Sequence, residues 1–296
     1  MAATVAHQTG LAEVRAKARA ALDVLDSPGG PPPSAEGWPA ARAAEYRIWI
    51  LACTDPFAAR ADIVPVYGAW RPDPLGPGHG GRRGLGPGRD RTGGQGAARL
   101  LSRLRAPGVR GASGGVLSAL EWACVDSGRW DDALAAAREA GDIAAAYKME
   151  TVAASADLTT AVVAAMRGDH DQVAPLLARV RAAVDTAEYR GFAARIWQVA
   201  GLAALAEGNY VTAHAQLGHL FATDGTPLHH HFSYLAVADL AAAAARAERH
   251  LEARTLLERA LARVDSAPGP RLEQLAARPA DYWPSPIAPK PTSPRP

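Results

Sequence analysis

The chain is poor in most of the residues that announce a specific chemistry. Aromatic side chains make up 6% of its 296 residues, and the only lysines are Lys17, Lys148 and Lys290. None of those lysines follows the glycine pattern of a phosphate-binding loop. The Gly84-x-Gly86-x-Gly88 run has neither a strand before it nor a helix after it, so a nucleotide site is not expected. Cys53 and Cys124 are isolated, without metal-ligand spacing, and are read as buried thiols in a reducing cytoplasm. A net charge of +2 gives no electrostatic reason for direct nucleic-acid binding. Ser113-Gly114-Gly115 is not read as a nucleophile context, and the carboxylate pair Asp131-Asp132 falls in the first turn of a helix, where it complements the helix dipole. No catalytic residues, cofactor or metal are therefore expected, and the chain is read as a non-enzyme. No stretch of 18 apolar residues is free of charge, and the opening Met1-Ala-Ala-Thr-Val-Ala-His7 lacks the charged and apolar regions of a signal peptide. The expected location is cytoplasmic, with no membrane partner.

What the chain does have is alanine, leucine and arginine, and the first two are strong helix formers, so an all-α protein is expected. Residues 1–65 read as a short helical region, with apolar groups at helical steps from Leu11 to Leu25 and a second helix from about Pro39 to Ala52. Residues 66–96 read as a disordered insert: from Arg71 to Gly96, 19 of 26 residues are Gly, Arg or Pro. Three origins for the insert stay open. It is a flexible linker, an Arg/Gly nucleic-acid contact, or GC-rich coding text read out of frame, since such codons become Gly, Arg and Pro codons when shifted. Residues 97–277 return to helical text. Residues 278–296 read as a disordered tail with seven prolines from Pro279 onward.

Within 97–277 four turn signals stand 40 residues apart: Gly128-Arg129-Trp130, Gly168-Asp169-His170, Gly208-Asn209-Tyr210 and Glu248-Arg249-His250. Matching residue types fall into register around them. The ring-bearing Trp130, His170, Tyr210 and His250 come two positions after the turn residue, and the small Ala133, Val173, Ala213 and Ala253 come five after it. Nine after it stand Ala137, Leu177, Leu217 and Leu257, on the same helical face one turn further on. A fixed period of this size predicts stacked two-helix units, none able to bury its apolar face alone. Pro175, six residues into the helix expected near His170, predicts a late helix start or a bend there.

The pattern of small residue, aromatic, alanine and larger apolar residue resembles a tetratricopeptide unit, stretched from the usual 34 residues. Ser118-Ala-Leu-Glu-Trp-Ala-Cys-Val-Asp-Ser-Gly-Arg-Trp-Asp-Asp-Ala-Leu134 is one stretch that carries a more specific likeness. Gly201-Leu-Ala-Ala-Leu-Ala-Glu-Gly-Asn-Tyr210, running on to Leu228, is the other. Together they resemble the helical sensor region of large actinobacterial LuxR-type transcriptional regulators. That resemblance implies a right-handed α-solenoid of about four repeats, recognising a protein or small-molecule effector on its concave face. The family's ATPase and helix-turn-helix modules have no counterpart in these residues. An autonomous protein–protein adaptor and an inert truncated or frameshifted remnant remain the alternatives.

By analogy with the tetratricopeptide repeat, Trp122, Ser155, Leu158, Val162, Arg195, Gln198, Leu202 and Leu235 face inward, with Tyr234 at the edge. Trp122, Arg195, Gln198 and Tyr234 are the candidates for ligand or partner contact, with inter-helix packing as the competing role. Arg195 offers an anchor for an acidic group. The run His229-His230-His231 is expected to be the exposed start of a helix, because adjacent residues point in different directions. His214 and His219, five apart, are read as solvated or partner-facing.

Overall fold

The computed structural model describes residues 7–26, 50, 53–54, 113–126, 128–264 and 270–282. Among these the structure is all-α, with no strand and a single isolated bridge between Phe221 and Pro227. The expected helix at 39–52, apart from residue 50, and the insert at 66–96 lie outside the described residues.

Eleven α-helices are described: α1 (Ala12–Asp26), α2 (Ser113–Asp126), α3 (Trp130–Tyr147), α4 (Glu150–Arg167), α5 (His170–Ala183), α6 (Arg190–Ala206), α7 (Tyr210–Gly218), α8 (Phe232–Leu235), α9 (Val237–Arg246), α10 (His250–Leu261) and α11 (Pro270–Ala277). Helices α3, α5, α7 and α10 begin at Trp130, His170, Tyr210 and His250, the four ring-bearing positions of the sequence period. Each turn before them has the same backbone. Gly128, Gly168, Gly208 and Glu248 take left-handed φ of 73°, 84°, 74° and 58°. The following N–H then donates back to a carbonyl five residues earlier: Arg129 to Cys124, Asp169 to Ala164, Asn209 to Ala204 and Arg249 to Ala244, at 2.8–2.9 Å. This is the Schellman closure, which satisfies carbonyls a helix end would leave open. Glycine takes the left-handed conformation without strain in the first three, and Glu248 adopts it without that freedom.

The turns set consecutive helices against each other. Helix α2 packs on α3, α3 on α4, α4 on α5 and α6 on α7, while α4 also touches both α2 and α6. Helices α7, α9 and α10 continue the sequence of contacts. The small residues predicted for the crossings are buried: Ala133, Ala213 and Ala253 are fully inaccessible and Val173 nearly so. Leu177, Leu217 and Leu257 lie one turn along and are buried as well. The core is divided into clusters that follow the helix pairs: around Ala136–Ala144, around Leu158–Val180, and around Leu217–Leu257. A small separate cluster joins Ala18 of α1 to Cys53, with Val14 and Ile50 against it.

Two expectations need correction. Of the late start or bend expected at Pro175, the late start is not found: helix α5 starts at His170 and runs through Pro175. The proline removes one intrahelical N–H, but Val173, Leu176, Leu177 and Val180 are buried on the same helix and hold it in place. The tail does not lose its order at residue 278. Arg278–Tyr282 forms a 3₁₀ turn packed on α9 and α11, with Pro279 buried. A proline is accommodated in a single tight turn that does not need its N–H.

Gly201 faces Leu217 so closely that an added methyl would overlap its Cγ, whereas Gly141 on α3 has nothing within 4 Å. Gly201→Ala is expected to destabilise the protein by about 1–3 kcal/mol through overpacking. Gly141→Ala is expected to stabilise it by about 0.5–1 kcal/mol through helix propensity. Urea-denaturation midpoints of the two variants check the contrast.

Candidate functional site

Trp122, Arg195 and Gln198 come together. Arg195, on the second turn of α6, places its guanidinium 3.8 Å from the Trp122 ring centroid on α2 and 4.1 Å from that of Phe232 on α8. Its Nη1–H donates to Gln198 Oε1 at 3.0 Å. Arg195 and Gln198 are buried, at 6% and 9% exposure, and Trp122 is half-buried. A cation between two rings in a desolvated setting is worth about 2 kcal/mol, so this cluster also ties α6 to its neighbours. Tyr234 does not line the same surface. It is buried in the α7–α9–α10 core, with its hydroxyl donating to the Ala260 carbonyl at 3.0 Å. The short helix α8 turns the ring away from the edge position that a continuous first helix would have given it.

The face beside Arg195 is covered by the chain's own N-terminal segment. The His7 ring stands edge-on to Phe232, with centroids 5.0 Å apart. A methyl on Gly191, at the start of α6, would lie 3.0 Å from the Gln8 carbonyl oxygen, and one on Gly10 would lie 2.9 Å from the His229 ring. This close approach brings residue 7 to residues 229–232.

The triple histidine is consequently not an exposed helix start. His229 is fully buried, while His230 and His231 are half-buried. His229 Nδ1 accepts the backbone N–H groups of His231 and Phe232 at 3.2 and 3.1 Å, capping α8. Its Nε2 meets the His7 carbonyl at 2.6 Å, and because a carbonyl can only accept, Nε2 carries the proton. His230 Nε2 likewise donates to the Cys53 carbonyl at 3.0 Å. Burial depresses all of these imidazoles. His7 is lowered to about 4 by burial, then by the charges of His230 and Arg195, and His230 is lowered to about 4 mainly by burial. His229 and His231 fall well below the ordinary value, again chiefly through burial. The four rings are neutral at pH 7. Elsewhere, His219 is exposed and stacks beside Trp197 at 4.2 Å, and His214 is half-buried.

A buried carboxyl was not read from the sequence as a site. Glu121 of α2 is inaccessible, and its Oε2 accepts hydrogen bonds from Thr159 at 2.9 Å and Ser155 at 3.3 Å on α4. Its Oε1 is buried without a partner. Burial pushes the Glu121 carboxyl up to about 7, against the opposing pull of the two hydroxyls. The available signal was one acidic residue in the otherwise apolar Leu120–Val125 turn, with hydroxyls four apart at 155 and 159 on the next first-position helix.

A folded pKa of about 7 against 4.5 for the free group means that the folded state holds this proton more tightly than the unfolded chain. Stability from this group is present below pH 4.5 and lost as pH rises to about 7, by roughly 3 kcal/mol. Asp239, raised to about 6 by burial, acts in the same direction, and the depressed histidines act in the opposite one below pH 6.5. Glu121→Gln is therefore expected to be more stable than wild type at pH 8, with the difference shrinking toward pH 4.5. Denaturant titrations of both proteins across that range read the difference directly. An unchanged gap would show that Glu121 ionises freely.

No family model, curated protein or solved structure matches the chain.

Proposed function

We propose that residues 113–282 act as a non-catalytic recognition module, a tetratricopeptide-like helical array resembling the sensor part of a LuxR-type transcriptional regulator. One observation carries this reading: four helices start at the same ring-bearing position of a 40-residue period, after four turns of the same backbone. A modular array of this kind presents a continuous surface to a ligand or partner. The guanidinium of Arg195 between the Trp122 and Phe232 rings supports reading this face as a setting for an acidic group of a small molecule or peptide. No helix among the described residues is long and apolar enough to cross a membrane.

A second reading, the protein–protein adaptor, is favoured by two exposed apolar side chains at equivalent repeat positions. Val211 and Leu251 are 69% and 70% exposed, each one residue after the ring position of its helix. The two readings place the partner on different surfaces, so variants separate them.

In a thermal-shift screen of anionic small molecules and acidic peptides, a ligand of the inner face raises the melting temperature of wild type and not that of Arg195→Ala. Gly10→Val, which drives the N-terminal segment from His229, is expected to strengthen that ligand's binding, because the face is otherwise covered. Capture of a protein that survives Arg195→Ala but is lost in Val211→Asp/Leu251→Asp would favour the adaptor. Failure of every ligand, together with no captured protein, would sink both.

A further inference from the structure

We propose that His7 and His230 form a binding site for a divalent transition-metal ion of the zinc, nickel or copper(II) class, held in place by His229 and the Cys53 carbonyl. The site takes one ligand from the N-terminal segment and one from the entry to α8.

The argument rests on where the imidazole lone pairs lie. His230 donates its Nε2–H to the Cys53 carbonyl, so its Nδ1 is the unprotonated nitrogen. The His7 Nδ1 is buried and has no hydrogen-bond partner. The Cys53 carbonyl thus fixes the His230 ring, and both His7 and His230 present a buried Nδ1 without a hydrogen-bond partner. Buried acceptors without partners are rare because they forfeit the hydrogen bonds they had in water. Two such atoms on rings whose centroids lie 6.1 Å apart point to something that binds both. A ligating histidine whose other N–H is fixed by a backbone carbonyl is the usual support of a metal-bound imidazole.

Geometry and chemistry agree with this class of ion. One ligand atom from each of His7, His229 and His230 lies within 4.8 Å of the others. Two nitrogens on one ion at about 2.0–2.1 Å stand roughly 3.4 Å apart in a tetrahedral arrangement, a separation that small ring rotations reach. Imidazole selects zinc, nickel and copper over magnesium and calcium. His229 is a positioning residue rather than a ligand: its Nδ1 holds the first turn of α8, and its Nε2 holds the His7 carbonyl. Bound there, the ion would pin the N-terminal segment onto the body of the array, independently of whether the inner face recognises a ligand.

The test uses the full chain, stripped with a chelator and titrated with Zn2+, Ni2+ or Cu2+ by calorimetry. One ion per chain is expected, with affinity lowered at least about tenfold in His7→Gln and in His230→Gln, and unchanged in His214→Gln/His219→Gln. Bound Cu2+ should show two imidazole nitrogens in its electron paramagnetic resonance spectrum, a readout on wild type that does not depend on the variants folding. Trypsin cleavage at Arg15, Lys17 and Arg19 should slow when the ion is added. Equal binding by the His7 and His230 variants, a spectrum with one nitrogen or none, or no saturable binding would each overturn the proposal.

Discussion

The architecture turns on a backbone contact made at five helix ends among the described residues, after Gly128, Lys148, Gly168, Gly208 and Glu248. A residue in left-handed conformation stops a helix, and the next N–H returns to a carbonyl five residues back, so that the following helix starts at a fixed angle. Everything after that turn depends on how closely the two helices approach. The side chains at the crossing are Ala133, Val173, Ala213 and Ala253, small enough to let the backbones close up. Larger residues there would force the helices apart, and the leucines one turn further on would lose their neighbours. The repeated turn and the small crossing residue are thus one device.

An alanine-rich interior has a cost. Alanine buries little apolar area, so each helix pair gains less from water exclusion than a leucine core would give. The protein compensates with a few large or polar groups set between helices. Arg195 lies between Trp122 and Phe232, Glu121 accepts from Ser155 and Thr159, and the Tyr234 hydroxyl reaches Ala260. Such groups are directional, so they specify which helices meet as well as holding them. The same low-dielectric setting moves the Glu121 carboxyl up and the His7 and His230 imidazoles down, because the charged form of each loses its hydration.

Much of the helical framework was legible in the sequence. The starts of α3, α5, α7 and α10 follow from the period. Other features had no local signal. Tyr234 looked like an edge residue because the first helix of its unit was read as continuous, whereas that helix is split into α8 and α9 and the ring turns into the core. The histidine run looked solvated because nothing near residues 229–231 announces that His7 and Cys53 will cover it. Glu121 was passed over as an ordinary acidic residue, since its desolvation comes from α4, on the next repeat.

The amino-acid sequence by itself determined that the chain is helical and where its main turns fall, because helix propensity, apolar spacing and left-handed glycine act over a few residues. The tertiary structure alone decided which polar groups lose water. Contacts such as His229 Nε2 to the His7 carbonyl join residues 222 positions apart, and no local pattern encodes them. Desolvation is a property of the assembled surroundings, so the ionisation of Glu121 and the bare nitrogens of His7 and His230 exist only once distant segments have closed over them.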